Sequence, residues 1–295
     1  MRTVRIFLAL ALAAACATTA PELPRINPRP TNVVMPGRPV WHDLVTTDLA
    51  AAKAFYGGLF GWTFRDYDVK EGRYALASLD GRPVAGILQP AKRKVNVSQW
   101  VTYFSVDDVD VAAAAATKAG ARLVVTPRDI ANQGRAALLI DPQGATVALA
   151  RLAGGDPAPV PPPPNAWLWV DLWTTDPAAA TAFYRGLLGL EPQAVDLGGT
   201  PYTVLGRDGR AYAGMLRIPQ PEIRPNWLPV VRVEDARTTA ERAAQLGGRV
   251  LLAPRPEVRD GKAAIVADPT GGAVAVLVWD VAPGRAPGAR MEVQP

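Results

Sequence analysis

Short runs of apolar and polar residues along the chain predict strands, with helices between them. The run from Pro39 to Val45 has high strand propensity and ends in Thr-Thr-Asp, where Asp48 is a good helix N-cap. From there apolar residues recur at helical spacing as far as Gly61, which predicts a helix that this glycine ends. Three short strands are expected next, at about 63–69, 73–79 and 83–89.

The same order of elements then starts again. The pattern predicts a strand at 99–105, a helix at 108–119 ended by Gly120, and strands near 121–126, 134–140 and 145–151. The first half of the chain therefore consists of two strand-helix-strand-strand-strand units.

The second half of the chain repeats the first. AAAKAFYGGLFGW at 50–62 recurs as AAATAFYRGLLGL at 178–190, an offset of 128 residues. AGARLVV at 119–125 recurs as LGGRVLL at 246–252, an offset of 127. A register that shifts by one residue over this length indicates a duplication. We therefore predict two tandem domains, at 38–152 and 167–280.

Three further segments are rich in proline and turn-forming residues. Residues 17–37 are interpreted as an extended tether, and residues 281–295 as a disordered tail. Residues 153–166 contain four consecutive prolines at 161–164, which favour polyproline II and predict a semi-rigid linker between the domains.

Residues 1–16 have the features of an export signal. Arg2 and Arg5 give a positive start, residues 6–15 are an apolar run too short to span a bilayer, and three alanines precede Cys16. Cys16 stands where a bacterial lipoprotein carries its lipid-modified cysteine. We expect a protein anchored to a cell-envelope membrane through Cys16. The alternative is simple signal cleavage, which gives a soluble secreted or periplasmic protein.

Composition and charge narrow the class of protein. The net charge is +5, and the densest basic cluster, Lys92, Arg93 and Lys94, is interpreted as a solvated loop without a nucleic-acid motif around it. We expect no nucleic-acid partner. Cys16 is the only cysteine, so no disulfide can form within the two domains and packing must stabilise them.

Several stretches carry a resemblance to a known family. They are FYGGLFGW, WVTYFSVDDVD and IDPQGATVALA in the first domain, and FYRGLLGL, WLPVVRVEDA and ADPTGGAVAVL in the second. With the βαβββ order, they resemble the vicinal oxygen chelate superfamily of glyoxalases, bleomycin-resistance proteins and extradiol dioxygenases. The branch most similar is the tandem-domain one described as 27-kDa-antigen or hydroxylase-like. The resemblance implies an α+β fold in which each domain pairs two βαβββ units into an open U-shaped sheet, with helices outside.

Active members of that superfamily hold a divalent metal inside the U, with ligands from the first and last strand of each unit. Here His42 matches the first position. The other seven places offer no imidazole or carboxylate: 84–88, Val101, Ala148, Val170, 212–216, Leu228 and Ala275. One imidazole cannot hold a metal alone. The missing ligands therefore predict no metal and no other cofactor, and they argue against glyoxalase I, epimerase and extradiol dioxygenase chemistry.

Strand alternation assigns the candidate site. If His42 points into the U of domain 1, then Trp41 and Asp43 face the helices. The cavity of domain 1 is then predicted to contain His42, Gln99, Tyr103 and Thr146. The cavity of domain 2 is expected to be almost wholly apolar, so domain 1 is the expected site. His42 is the candidate general base or hydrogen-bonding residue, with a structural role as the competing interpretation.

The remaining prominent side chains have structural interpretations. Asp43 and Asp171 occupy the same place in both copies and are expected to bond nearby backbone. Asp141 and Asp268 each precede proline and are interpreted as turn residues. The aromatic pairs on the two helices are expected to be core: Phe55, Tyr56, Phe183 and Tyr184.

The sequence thus favours a metal-independent protein that binds a small apolar or aromatic molecule in domain 1 or at the seam between domains. Domain 1 could also pack on domain 2 as a pseudo-dimer. Two alternatives stay open. One is a lyase, isomerase or oxygenase-like enzyme that uses His42 and Tyr103 without metal. The other is a structural or interaction module with both cavities filled by side chains, although Ala148 and Ala275 leave space rather than fill it.

Overall fold

The computed structural model describes residues 22–91, 96, 98–197 and 199–279. Cys16, the cluster Lys92 to Lys94 and the tail 281–295 lie outside the described residues. No helix among the described residues is long and apolar enough to cross a membrane.

The described chain contains two copies of one arrangement. Domain 1 consists of β1 (Pro39–Val45), α1 (Leu49–Phe60), β2 (Thr63–Val69), β3 (Gly72–Leu79), β4 (Arg82–Pro90), β5 (Gln99–Ser105), α2 (Val109–Lys118), β6 (Arg122–Ile130), β7 (Gly134–Ile140) and β8 (Thr146–Leu152). Domain 2 consists of β9 (Trp167–Thr174), α3 (Pro177–Leu188), β10 (Glu191–Leu197), β11 (Thr200–Arg207), β12 (Arg210–Arg217), β13 (Asn226–Val233), α4 (Ala236–Gln245), β14 (Arg249–Leu252), a 3₁₀ turn (Arg259–Gly261), β15 (Ala263–Ala267) and β16 (Ala273–Val278).

Capping residues set the helix boundaries as the sequence predicts. The Asp48 carboxylate accepts hydrogen bonds from the backbone N–H groups of Ala50 and Ala51, and Gly61 ends α1 in the left-handed conformation at φ 72°. Asp176 caps α3 in the same way, and Gly189 ends it at φ 66°. The duplicated local signals therefore produce duplicated helices.

Each domain forms one eight-stranded sheet. The strand order is β2-β3-β4-β1-β5-β8-β7-β6 in domain 1 and β10-β11-β12-β9-β13-β16-β15-β14 in domain 2. The first strands of the two units pair antiparallel at the centre, β1 with β5 and β9 with β13. The sheet of domain 1 curls into a half-barrel, which confirms the predicted α+β architecture.

The helices lie on the convex faces of the sheets, and these faces also pack against each other. One buried cluster joins α2 and β8 of domain 1 to α3 and β13 of domain 2. A second joins α1 and β4 to α4 and β16. The first unit of each domain therefore contacts the second unit of the other domain.

Two matching sets of hydrogen bonds cross this interface. Trp227 donates to the Tyr184 hydroxyl at 2.9 Å, and that hydroxyl donates to the Asp141 carboxylate at 2.8 Å. On the other side Trp100 donates to Tyr56 at 2.9 Å, and Tyr56 donates to the carbonyl of Gly272 at 3.1 Å. Both tyrosines are fully buried, as the sequence predicts, but their hydroxyls also join the two domains.

The segment before β1 packs on domain 1, which the interpretation of 17–37 as a tether does not anticipate. We call residues 22–37 the strap. Ile26 and Asn27 are 7% and 5% exposed. The Asn27 amide donates to the carbonyls of Gly155 and Asp156, and Asn132 donates to the carbonyl of Leu23 at 3.1 Å. These contacts provide hydrogen-bond partners for polar groups of the backbone and side chains. In a free tether the same groups would bond to water.

Candidate ligand-binding cups

Cup 1 is the concave face of strands β1–β8, and cup 2 is the concave face of β9–β16. In cup 1, antiparallel pairing sets Asp43 opposite Val101 and His42 opposite Thr102. Directly paired residues share a face of the sheet. Tyr103 and Asp43 are joined by a hydrogen bond, and Tyr103 packs against a cluster that contains no helix residue, so both lie on the concave face.

Three of the four predicted site residues lie on that concave face. Gln99 and Tyr103 alternate with Trp100 and Thr102 along β5, and Thr146 alternates with Val147 on β8. His42 lies on the opposite face, so the prediction that it shares a cavity with the other three is wrong. Because side chains alternate along a strand, assigning His42 to the cup also assigned every other side chain of β1 to the wrong face of the sheet.

His42 is instead buried where the two domains meet. Its ring centroid lies 4.6 Å from that of Trp167, the first residue of β9, and Nδ1 lies 3.1 Å from the Thr102 hydroxyl. Burial lowers the pKa of His42 to about 3, so the imidazole is neutral at ordinary pH. Because His42 and Tyr103 occupy opposite faces, they cannot act together on one substrate.

The polar centre of cup 1 is Asp43, which the sequence analysis assigned to the helix side. Its Oδ1 accepts hydrogen bonds from Trp41 at 2.8 Å and Tyr74 at 3.1 Å, and its Oδ2 accepts one from Tyr103 at 2.7 Å. Burial raises the pKa of Asp43, and the three side-chain donors oppose that shift. This carboxylate organises three aromatic side chains rather than bonding only to backbone.

A glycine on the neighbouring strand makes room for this centre. A Cβ added to Gly86 would lie 1.9 Å from the Tyr74 hydroxyl and 2.0 Å from Asp43 Oδ1. In domain 2, a Cβ on Gly214 would meet Tyr202 and Asp171 at similarly short distances. The cup floor therefore requires the glycine that ends each repeated segment, DGRPVAG at 80–86 and DGRAYAG at 208–214.

The strap fills cup 1. Ile26 belongs to one buried cluster with side chains from five strands of the concave face, and Leu23 packs against it; the cluster includes Trp41, Tyr67, Tyr74, Leu76, Ala136, Ala150 and Leu152. An ion pair between Arg128 and Glu71, 2.7 Å apart, also joins the two edges of the sheet. The cavity predicted as the ligand site is thus occupied by the chain itself.

Cup 2 has the same floor without that filling. Trp169 takes the place of Trp41 and is partly exposed, whereas Trp41 is 4% exposed. Asp171 takes the place of Asp43, and these two carboxylates are equally in the partly exposed class. Where Leu152 is 6% exposed in domain 1, its counterpart Trp279 is 43% exposed. The buried clusters of the described residues include none of the concave side chains of cup 2. This cup presents an apolar, aromatic surface of the kind that marks ligand sites.

Polar atoms without partners occur in cup 2. Asp171 accepts hydrogen bonds from Trp169 and Tyr202 on Oδ1, and no described residue donates to Oδ2 because Val230 replaces Tyr103. Trp173 Nε1 and Gln193 Oε1 are buried without a partner among the described residues. The Arg259 guanidinium lies 5.8 Å from the Tyr202 ring centre. Unpaired buried polar atoms are costly, so Trp173 and Gln193 need partners that the described residues do not provide.

Comparison with known proteins identifies the family. The model of the Glyoxalase/Bleomycin resistance protein/Dioxygenase superfamily matches residues 38–149 and 167–276. The chain belongs to this superfamily.

Relatives span nearly the whole body. The anthracycline biosynthesis protein DauV of Streptomyces sp. (strain C5) is 33% identical over 270 residues, covering 86% of this chain and 98% of DauV. CFP32 of Mycobacterium tuberculosis is 34% identical over 246 residues, covering 82% and 94%.

Among solved structures, 2,2',3-trihydroxybiphenyl 1,2-dioxygenase from Sphingomonas wittichii superposes with a TM-score of 0.56 at 17% identity, covering 88% of this chain and 100% of that enzyme. The Mn(II)-bound glyoxalase from Novosphingobium aromaticivorans gives 0.54 at 16% identity, covering 83% of each chain. At this identity the likeness shows the fold alone.

The side chains of the cups do not fit the metal that the superfamily fold implies. A resident divalent ion needs three or four converging nitrogen, oxygen or sulfur ligands. Each cup centres on one carboxylate whose neighbours are tryptophan and tyrosine donors. Within the part of the chain that the structure describes, no three His, Cys, Asp or Glu side chains come together.

One signal in the sequence could have located the cup floor. The Trp-x-Asp pairs at 41 and 169 recur in both copies together with a tyrosine and a glycine, Tyr74 with Gly86 and Tyr202 with Gly214. His42 has no such counterpart, since Val170 takes its place. Residues that recur in both copies therefore mark the cup floor. His42 occurs in one copy only and does not mark it.

Proposed function

We propose that this protein binds a small, flat, largely apolar aromatic molecule in cup 2, without a metal. The observation that carries the proposal is the difference in filling between the two cups. The strap packs on the floor of cup 1 and Trp41 there is buried, while the matching Trp169 of cup 2 is partly exposed and cup 2 has unpartnered polar atoms. Trp169, Trp173 and Tyr202 provide flat contact area, and Asp171 Oδ2 accepts a hydrogen bond from a hydroxyl on the ligand.

Two relatives support the ligand class. DauV and a second relative, DnrV of Streptomyces peucetius, are both named for anthracycline biosynthesis. Anthracyclines are flat polycyclic aromatic molecules. A tandem-domain relative in such a pathway is compatible with either binding or catalysis. The separation of His42 from Tyr103 removes the pair on which a metal-free reaction in cup 1 would depend, which favours binding.

The test is ligand-induced stabilisation and quenching of tryptophan fluorescence with 2-naphthol and alizarin, two flat hydroxylated aromatics. We expect saturable binding with one site per chain and a higher melting temperature. Ala275→Trp fills the floor of cup 2 and should weaken binding by about tenfold or more. Ala50→Trp, at an exposed helix position, is the control and should bind as the wild type does. Equal binding by both variants would remove cup 2 as the site.

Trp173→Phe sharpens this test. The change keeps an aromatic ring and deletes the unpartnered Nε1–H. The free protein should be no less stable, because an unsatisfied buried donor is lost. A ligand that accepts a hydrogen bond there should bind more weakly. Unchanged affinity together with unchanged stability would show that Nε1 has no part in recognition.

Metal independence is part of the proposal and has its own measurement. Elemental mass spectrometry of protein beginning after Cys16, purified without chelator, should find zinc, iron, nickel and manganese far below one per chain. Incubation with each metal should not change that result. Retention of one metal near one per chain would show that another ligand set exists and would favour an enzyme.

We also propose that the protein is exported and anchored to a cell-envelope membrane by a lipid on Cys16. The support is the sequence of residues 1–16. Cys16→Ser should move the protein from the membrane fraction to the soluble fraction and abolish the mass increase of lipidation. If the variant stays with the membrane, the anchor is not Cys16; if the wild type is soluble, simple signal cleavage is correct.

A further inference from the structure

A second, smaller pocket lies at the seam between the domains, on the far side of the sheet from cup 1. We call it the seam pocket. It has a volume of about 120 Å³ and is lined by the start of β1, the linker and β9, with Tyr212 of β12. The side chains used below are Arg38, His42, Trp167 and Tyr212. A cavity of roughly 150 Å³ can hold benzene, so this pocket suits a molecule of about that size or smaller.

His42 lines this pocket, and its contact with Thr102 decides which ring nitrogen carries the proton. Its Nδ1 lies 3.1 Å from the Thr102 hydroxyl, and Thr102 is fully buried. No other described residue accepts the Thr102 hydroxyl proton. If Nδ1 carried the imidazole proton, that hydroxyl proton would be buried without an acceptor, at a cost of about 1–3 kcal/mol. We therefore assign the Thr102 hydroxyl as donor to Nδ1, which puts the imidazole proton on Nε2.

Arg38 adds a partly buried cation without a carboxylate partner. Its Nη1 donates to the carbonyl of Pro157 and lies 3.7 Å from the Met35 sulfur. Within the described chain no carboxylate lies within 4.0 Å of the guanidinium. Burial lowers the pKa of Arg38, Asp156 and Tyr212 oppose that shift, and a guanidinium stays protonated near neutral pH. A cation removed from water in this way favours an anion beside it.

The repeat shows that this arrangement is not required for the fold. The positions that match Arg38, His42 and Thr102 in domain 2 are Ala166, Val170 and Pro229. The second copy thus forms the same strand pair, β9 with β13, without any of the three polar side chains. Packing of the sheet therefore does not explain why domain 1 has Arg38 and His42 at these positions.

We propose that the seam pocket is a binding site for a small monocarboxylate. The carboxylate lies against the Arg38 guanidinium and accepts hydrogen bonds from His42 Nε2–H and the Tyr212 hydroxyl. Its apolar part contacts the Trp167 ring. Trp169 lines this pocket and also belongs to cup 2, but Arg38 and His42 take no part in cup 2, so their variants test this site without testing the proposed function.

His42 gives the experiment a single signal, because it is the only histidine of the chain. Protein labelled with ¹⁵N-histidine is titrated with acetate, propionate and benzoate, and in parallel with the neutral amides acetamide, propionamide and benzamide. We expect the spectrum of the free protein to show the Nε2–H form. Each carboxylate that fits should shift Nε2 saturably, while the amides bind more weakly by about tenfold or more.

Variants separate a site from a general salt effect. Arg38→Gln should abolish the saturable shift, and Tyr212→Phe should weaken it by a smaller factor. Thr102→Val should move the imidazole proton equilibrium and weaken binding without touching the carboxylate. Ala275→Trp in cup 2 should leave the carboxylate titration unchanged. Shifts that are linear in concentration, equal for acid and amide, or intact in Arg38→Gln would overturn the proposal.

Discussion

The two domains share one architecture and differ in what lies on their concave faces. In domain 1 the strap places Ile26 on the floor around Asp43, and Tyr103 donates to the second carboxylate oxygen. In domain 2 Trp169 beside Asp171 is partly exposed, and Val230 leaves the matching oxygen without a donor among the described residues. Duplication has therefore produced one self-filled cup and one open cup from the same set of strands.

This difference teaches that filling a cup requires changes at several places at once. The matching positions differ on the rim as well as on the floor. Asn132, which donates to the carbonyl of Leu23 in the strap, is Arg259 in domain 2, where its guanidinium lies over Tyr202 instead. Glu71, which pairs with Arg128 across the sheet edges, matches Gly199. The strap, the edge ion pair and the third donor to the carboxylate all occur in domain 1.

The largest effect is expected from removing the filling of cup 1. Ile26→Asp puts a carboxylate where a side chain is 7% exposed, so the strap must leave the cup. The free energy of unfolding should fall by about 2–5 kcal/mol, the range for losing a buried aliphatic side chain. Urea denaturation measures the loss, and Val33→Asp, at a strap residue that is 52% exposed, is the control. Equal small losses in both variants would mean that the strap contributes little to stability.

The next effect compares the two glycines of the cup floors. Gly86→Ala should cost about 3 kcal/mol, because Tyr74 and Asp43 beneath the strap cannot move away from the new methyl group. Gly214→Ala should cost about 1 kcal/mol, because Tyr202 can turn toward the open cup. Thermal unfolding of both variants checks the order. A larger loss for Gly214→Ala would show that cup 2 is the more rigid of the two.

Most of the fold could be predicted from the sequence, because its signals are local and occur twice. The expected strands at 63–69, 99–105 and 134–140 are β2, β5 and β7 with the same bounds. The expected helix at 108–119 is α2 at Val109–Lys118, with Asp108 as its cap. Caps, glycines and alternating runs depend on nearby residues alone, so they are visible without the tertiary structure.

The site was harder to predict because alternation gives the period of a strand but not which face is which. Both faces of β1 are largely buried, so apolar residues occur at odd and even positions alike. Because His42 was taken as the residue that points into the cup, Trp41 and Asp43 were assigned to the wrong face of β1. The strap was missed for a related reason, since a proline-rich segment with a single buried isoleucine has no periodicity to indicate packing.

A smaller effect is expected from exchanging the third donor of the carboxylate between the domains. Tyr103→Phe leaves Asp43 Oδ2 without its 2.7 Å partner and should cost about 1–3 kcal/mol. Val230→Tyr adds the matching hydroxyl in domain 2. It should lower the affinity of cup 2 for 2-naphthol, because the new hydroxyl competes for Asp171 Oδ2. If Val230→Tyr binds 2-naphthol as the wild type does, Asp171 does not recognise the ligand hydroxyl.

The smallest effect concerns Arg259 and the titration of Asp171. Burial raises the pKa of Asp171, and the charge of Arg259 is among the influences that oppose this shift. Arg259→Asn copies the residue found at the matching place in domain 1, and both positions have positive φ, 51° and 63°, which asparagine tolerates. The variant should therefore keep its backbone and raise the pKa of Asp171 further, while the pKa of Asp43 stays the same.

The pH dependence follows from the sign of that shift. A carboxyl whose pKa is raised on folding favours the folded state below its unfolded pKa of about 3.9, and that contribution is lost as the pH rises through the folded pKa. Arg259→Asn should therefore match the wild type most closely in acid and fall behind above the pKa of Asp171, by less than about 1 kcal/mol. Carbon-13 NMR of the aspartate carboxyls measures the pKa, and urea denaturation against pH measures the stability. A loss that persists equally in the Asp171→Asn background would assign the effect to the turn around Arg259 rather than to its charge.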